Sequence, residues 1–259
     1  MIVAGCDVGS LTAEAVILAD GKILCGRIIP VRPTALESAR AVMDLALTET
    51  GLSYERLDAC CSTGYGRFSI PFAKKNMSEI SCHALGAFTA LSSVRTVIDI
   101  GGQDCRVIAV DDGGMIEDFA MNEKCAAGTG RSLEILASAV GLSLPRLGEA
   151  ALKSRGPFSI NNRCSIFMEE EVLFHIQRKS RTSDIAYAIT SAVAKRVASL
   201  ARSVRLAPAF AITGGVAKNP AVVERLESLL AIRFSPLPLD PQLVGALGAA
   251  MFAARQAGA

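Results

Sequence analysis

The sequence predicts an α/β chain of two related lobes with a ligand cleft between them. A unit of strand, acidic turn, strand, turn, strand occurs twice, and segments of helical periodicity follow each copy. The 259 residues leave room for two modest domains at roughly 150 residues each.

The first copy spans residues 2–29 as IVAGCDVG, TAEAVILA and KILCGRII, with Asp20-Gly21 as the hairpin turn. From Val94 the plan repeats as TVIDIGGQ, DCRVIAVD and GMIEDFAM, with Asp112-Gly113-Gly114 between the last two strands. Aligning Asp7-Val8-Gly9 with Asp99-Ile100-Gly101 brings the copies into register. Between them, residues 33–50 carry helical periodicity, LDACCST reads as a short strand and SEISCHALGAFTAL as a second helix. Beyond the second copy, GTGRSLEILASAVG, SIFMEEEVLFHIQRK and DIAYAITSAVAKRVASLARSV place apolar residues three and four apart, which predicts helices. AFAITGG is a buried strand ending in glycines, followed by helices over 219–230 and 243–255. The expected lobes are 1–92 plus 240–259, and 93–239.

Composition excludes several classes of function. Hydrophobic residues make up 51% of the chain, yet no apolar run reaches the ~18 residues that a bilayer span needs. The opening MIVAGCDVGS has no basic region followed by an apolar stretch and cleavage site, so a cytoplasmic location is expected. The 27 Lys and Arg nearly balance the 25 Asp and Glu, and no basic stripe gives a nucleic acid an electrostatic footprint. Eight cysteines in a reducing compartment are expected to stay free thiols. None forms a CxxC pair or a zinc-type cluster, so one chain offers no ready four-ligand metal site.

The chemistry concentrates at two bends, DVGS and DIGGQD. A strand that ends in Asp-x-Gly and turns directly into another strand places N-H groups and one carboxylate at a tight turn. Glycine lets the backbone approach phosphate oxygens, and the carboxylate suits a hard cation or its water. One such turn is ordinary. Two in duplicated units, with a strand-to-glycine turn at Thr213-Gly214-Gly215, point to a phosphate ligand, and the absence of GxxxxGK[ST] excludes a P-loop.

These bends occur with TGYGR (63–67), SEISCHA (78–84), VIDIGGQD (97–104), NEKCAAGTGR (122–131), the Cys164 segment, TGGVAKN (213–219) and GALGAA (245–250). On these strings the chain resembles the superfamily of actin, heat-shock chaperone ATPases and sugar kinases. Within it, the chain is most similar to the activator components of 2-hydroxyacyl-CoA dehydratases, relatives of the benzoyl-CoA reductase ATPase subunits. The resemblance implies duplicated actin-like (ribonuclease H-like) lobes that clamp ATP and Mg2+. Asp7 and Asp99 would manage the metal and the attacking water, with Gln103 beside them. Gly9, Ser10, Thr12, Gly101 and Gly102 would cradle the phosphates, and the Gly128-Thr129-Gly130 turn would approach the nucleotide. Gly214, Gly215 and Ala217 would lie against the adenosine, and Glu134 would face the ribose.

Cys125 and Cys164 each stand just before a helical pattern, where the helix dipole favours a thiolate. The resemblance implies that both ligate iron. Two thiolates are too few for a 4Fe-4S cluster, which four normally hold, so a two-fold homodimer would share one cluster. Cys82 beside His83 and the tandem Cys60-Cys61 read as packing residues. The implied activity is one-electron transfer from a ferredoxin or flavodoxin donor to an iron-sulfur dehydratase or reductase acceptor. Two alternatives are an amino-sugar kinase of the same superfamily and a nucleotide-dependent scaffold.

The chain departs from its relatives at specific positions. Leu11 and Glu14 stand where they commonly have Thr and Lys, and Met168 and Glu170 are unusual after the second thiol. An unpaired carboxylate beside triphosphate is repelled by several kcal/mol at low effective dielectric, so Glu14 is expected to point away from the phosphates.

Overall fold

The computed structural model describes residues 1–122 and 129–258. Two sheets organise it. The first contains β1 (Ile2–Val8), β2 (Thr12–Ala19), β3 (Lys22–Pro30), β4 (Ala59–Thr63) and β5 (Lys75–Asn76), in the order β3-β2-β1-β4-β5. In the second, β6 (Thr96–Ile100), β7 (Cys105–Val110), β8 (Ile116–Met121) and β9 (Phe210–Thr213) follow the order β8-β7-β6-β9. In each, a three-strand antiparallel meander is extended by a parallel strand beside its first member, β4 against β1 and β9 against β6. The duplication read from the sequence is therefore a repeat of topology.

Burial explains the composition of the strands. β1 is buried from Val3 to Val8, and β6 and β7 are buried along their whole length, so they read as continuous apolar runs rather than alternating ones. The Asp20-Gly21 turn places both residues at positive φ, the geometry that matches the twist of a two-residue hairpin.

Helices stack the sheets in layers. α1 (Ala35–Thr50) starts at a capping box, with Thr34 accepting from the N-H of Glu37 and Glu37 accepting from that of Thr34. It covers the outer face of the first sheet through Val42, Met43, Ala46 and Leu47. α2 (Glu79–Ala90) and α8 (Val244–Ala257) form the layer between the sheets, sharing one core with Val3, Val16 and Leu18 and another with Val97, Ile108 and Ala211. The outer face of the second sheet is closed by α3 (Gly130–Ala139), α4 (Leu144–Ala151), α5 (Ser165–Gln177), α6 (Thr182–Ala201) and α7 (Pro220–Leu230) in the largest core.

The α2 and α8 crossing is unusually close. A Cβ on Gly248 would stand 1.9 Å from the Cys82 carbonyl oxygen, and one on Gly86 would stand 2.1 Å from that of Val244. Any side chain there would separate the helices, which accounts for the small residues of GALGAA. Among the described residues, no helix is long and apolar enough to cross a membrane.

Candidate functional site

A cleft of about 480 Å3 opens between the two sheets where β1 and β6 end. From the first sheet it takes Asp7, Gly9, Ser10 and Thr12, and from the second Asp99, Gly101, Gly102 and Gln103. The two bends face each other, with Ser10 Oγ and the Leu11 side chain against the Cα of Gly102. Gly130 and Glu134 of α3 complete one wall, and Gly214 and Gly215 another.

Hydrogen bonds tie α3 to the second bend. The N-H of Gly130 donates to the Gly101 carbonyl at 2.9 Å, and that of Arg131 donates to Gly102 at 2.8 Å. Glu134 is half exposed at the cleft and pairs with Arg131 at 2.8 Å. Thr129 is buried at the start of α3 and lies beneath the lining rather than in it. Ala217 packs against the core of the second sheet instead of reaching the cleft. Gly128 and Cys125 fall outside the described residues.

The carboxylates are in contrasting environments. Asp7 is clasped by two backbones: a Cβ on Gly245 would lie 2.1 Å from its Oδ2, and one on Gly64 would lie 2.5 Å from its Oδ1. Burial, with Glu79 and Asp99 nearby, pushes its pKa up to about 7. Glu14 lies opposite Asp7 in the β1-β2 register and is buried in the cleft lining. Burial first and Asp7 second push its pKa well up. A divalent cation would relieve both groups, and the donor set suits Mg2+, which favours carboxylates and phosphate oxygens.

Asp99 is held ionised. Burial opposes its charge, but His83, the Arg106 guanidinium and donors from Arg106 and Thr213 outweigh it and keep the pKa below the usual range. Burial lowers the pKa of His83 itself, so its pull on Asp99 acts only when the imidazole is protonated, and Arg106 is the standing positive charge beside the carboxylate. Arg106 Nη1 donates to Asp99 Oδ2 at 2.8 Å, while Nη2 serves Asp104 at 2.8 Å and also Glu79. Thr213 Oγ1 donates to Asp99 Oδ1 at 3.0 Å.

Neither His83 nor Arg106 has a role that the sequence motifs predict. A signal for Arg106 was present, since it is the one charge in the apolar run of β7. Cys60, Cys61 and Cys82 do pack in cores, and burial pushes the first two thiols up to about 12 and about 11.

Cys164 lies away from the cleft as a partly exposed residue immediately preceding α5. The Asn161 side chain accepts from the N-H groups of Arg163 at 2.8 Å and Cys164 at 3.1 Å, which fixes the turn that presents the thiol. Met168 is core, and Glu170 faces solvent.

Comparison with known proteins identifies what this arrangement belongs to. The model for the BadF/BadG/BcrA/BcrD ATPase family matches residues 4–253. The chain belongs to that family. It is 36% identical over 253 residues to the 2-hydroxyisocaproyl-CoA dehydratase activator of Clostridioides difficile, covering 98% of this chain and 95% of the relative. It is 40% identical over 255 residues to the (R)-2-hydroxyglutaryl-CoA dehydratase activating ATPase of Acidaminococcus fermentans, covering 98% and 97%. The solved structure of the 2-hydroxyisocaproyl-CoA dehydratase activator from Clostridium difficile with bound ADPNP superposes with a TM-score of 0.94 at 37% identity, over 100% of this chain and 96% of that one. The fold is the actin-like ATPase fold, with the nucleotide cleft between its sheets. A ROK glucokinase from Streptomyces griseus, at 16% identity and a TM-score of 0.58, shares the fold alone.

Proposed function

We propose that this family member is an ATP-dependent one-electron activator of a 2-hydroxyacyl-CoA dehydratase or a related reductase. Its working form is a homodimer holding one 4Fe-4S cluster through Cys125 and Cys164 of each subunit. The expected lobes, 1–92 plus 240–259 and 93–239, close on Mg-ATP. Asp7 and Asp99 position the metal and the attacking water, and the facing bends hold the phosphates. Phosphoryl transfer needs little beyond such positioning and charge neutralisation.

The observation that carries the reading is the bonding of Gly130 and Arg131 to Gly101 and Gly102. One short stretch of chain thereby links the phosphate bend to the segment that contains Cys125, five residues before Gly130. Movement of the bend on nucleotide binding would carry the start of α3 with it. For a nearly complete switch the closed form must bind nucleotide ~10^4-fold tighter, about 5.5 kcal/mol, which a multidentate phosphate clamp can supply.

Among the described residues, no group of three or more His, Cys, Asp or Glu side chains could hold a metal ion. The single thiol of Cys164 fits a shared site, because it is partly exposed and the neighbouring Ile166 and Phe167 present apolar surface that a second subunit would cover. Such a cluster supplies a store for one electron at low potential. The physiological donor would be a ferredoxin or flavodoxin.

Anaerobic purification with iron assay and visible spectroscopy tests the proposal. About four iron atoms per dimer are expected, falling to none in Cys164→Ser with ATP affinity unchanged. An iron-free protein under strict anaerobiosis, even after reconstitution with iron and sulfide, would remove the redox half of the reading.

A further inference from the structure

We propose that His83 is a positioning residue of the ATPase site, holding Asp99 through Thr213 so that the carboxylate keeps a fixed aim into the cleft beside Asp7. This rests on the cleft hydrolysing ATP. His83 is buried on α2 and lines the cleft. Its Nδ1 lies 3.1 Å from Thr213 Oγ1 and 3.4 Å from Asp99 Oδ1.

The hydrogen-bond network assigns the tautomer. An ionised Asp99 only accepts, so the Thr213 hydroxyl gives its one proton to Asp99 Oδ1. The hydroxyl oxygen is left as an acceptor for an N-H on His83 Nδ1. The chain of donors runs from His83 to Thr213 to Asp99, and Nε2 is left as an acceptor on the side where Asp7 and Gly245 lie, both near the same point above Gly245 Cα.

α2 therefore controls both oxygens of Asp99. Glu79 and His83 are four residues apart and share one face of the helix. Glu79 steadies Arg106, which donates to Oδ2, while His83 steadies Thr213, which donates to Oδ1. Because α2 lies in the layer between the sheets and packs tightly on α8, the orientation of Asp99 is set by the same helix pair that clasps Asp7 at Gly245.

The test is a set of steady-state ATPase measurements on the full-length protein. His83→Ala is expected to lower kcat about 100-fold with KM for ATP within about threefold, the size of effect that a misplacement of ~1 Å produces. His83→Asn keeps a donor near the Nδ1 position and should restore kcat to within about tenfold of wild type; His83→Gln, which mimics Nε2, should not. Thr213→Val should reproduce the kcat loss and add little to His83→Ala in the double variant, whereas Thr213→Ser should retain activity. If His83→Ala does not fold, the Thr213 pair decides the matter alone. Wild-type kcat in His83→Ala or in Thr213→Val, a loss confined to KM, or an Asn variant no better than Ala would overturn the proposal. An inactive wild-type protein would instead remove the ATPase reading on which it rests.

Discussion

Glu14 stands directly across from Asp7 in the antiparallel register of β1 and β2, and both carboxyls are buried in the wall of the nucleotide cleft. Their titrations are joined: a proton retained by one eases ionisation of the other. Asp7 titrates near 7 when folded and near the usual carboxylate value when unfolded. Its neutral form is the one the fold accepts, so the Asp7 contribution to stability is fully present at low pH and is lost as pH rises through about 7. Asp7→Asn removes that penalty. In nucleotide-free protein it should stabilise the fold at pH 8 by an amount on the order of 2–4 kcal/mol, seen as a higher melting temperature, and the gain should shrink as pH falls toward 4. Thermal melts at several pH values check this.

Replacing Glu14 with Gln should tighten Mg-nucleotide binding at any pH where Glu14 is ionised, because one buried negative charge is then removed from the cleft wall. The advantage should narrow as pH falls, because burial and Asp7 both favour the protonated carboxyl. Calorimetric titration with ADPNP at two pH values gives the comparison.

Gly245→Ala should disable the site without replacing a charged group. Its methyl would stand 2.1 Å from Asp7 Oδ2 and 3.0 Å from His83 Nε2, so the carboxylate or α8 must move. A fall in kcat of about 100-fold is expected. Overpacking costs of about 1–3 kcal/mol should appear in urea unfolding.

Arg106 holds Asp99, Asp104 and Glu79 together in a buried network. Arg106→Met leaves these carboxylates uncompensated and should destabilise the fold by about 3–5 kcal/mol. Arg106→Lys should recover part of that loss, since a lysine keeps the charge but not the fork that serves several acceptors at once. Chemical denaturation of the two variants measures the difference.

The sequence was legible where local rules decide the outcome. The duplicated meanders, the Asp20-Gly21 hairpin and the helices α1, α2, α6 and α7 follow from periodicity, turn chemistry and capping. α4 was missed: its eight residues give barely two turns of pattern, although Ser143 and Pro145 are start signals. The glycines and aspartates of the bends were readable because their chemistry sits in contiguous strings. His83 and Arg106 were not, because each takes its role from groups distant in sequence. Thr213, 130 residues beyond His83, reaches it only when β9 pairs with β6. Charge repulsion alone could not say where Glu14 sits in the sheet; its register with Asp7 puts it in the cleft lining.

The central claim is that the two facing Asp-x-Gly bends form one Mg-ATPase site. Its most direct test is ATP hydrolysis with and without Mg2+ by the wild type, Asp7→Asn and Asp99→Asn, with ADPNP binding measured on each. The account predicts Mg-dependent turnover in the wild type, a loss of at least about 100-fold in both variants, and retained nucleotide binding in folded protein. Undiminished hydrolysis in both variants would contradict it.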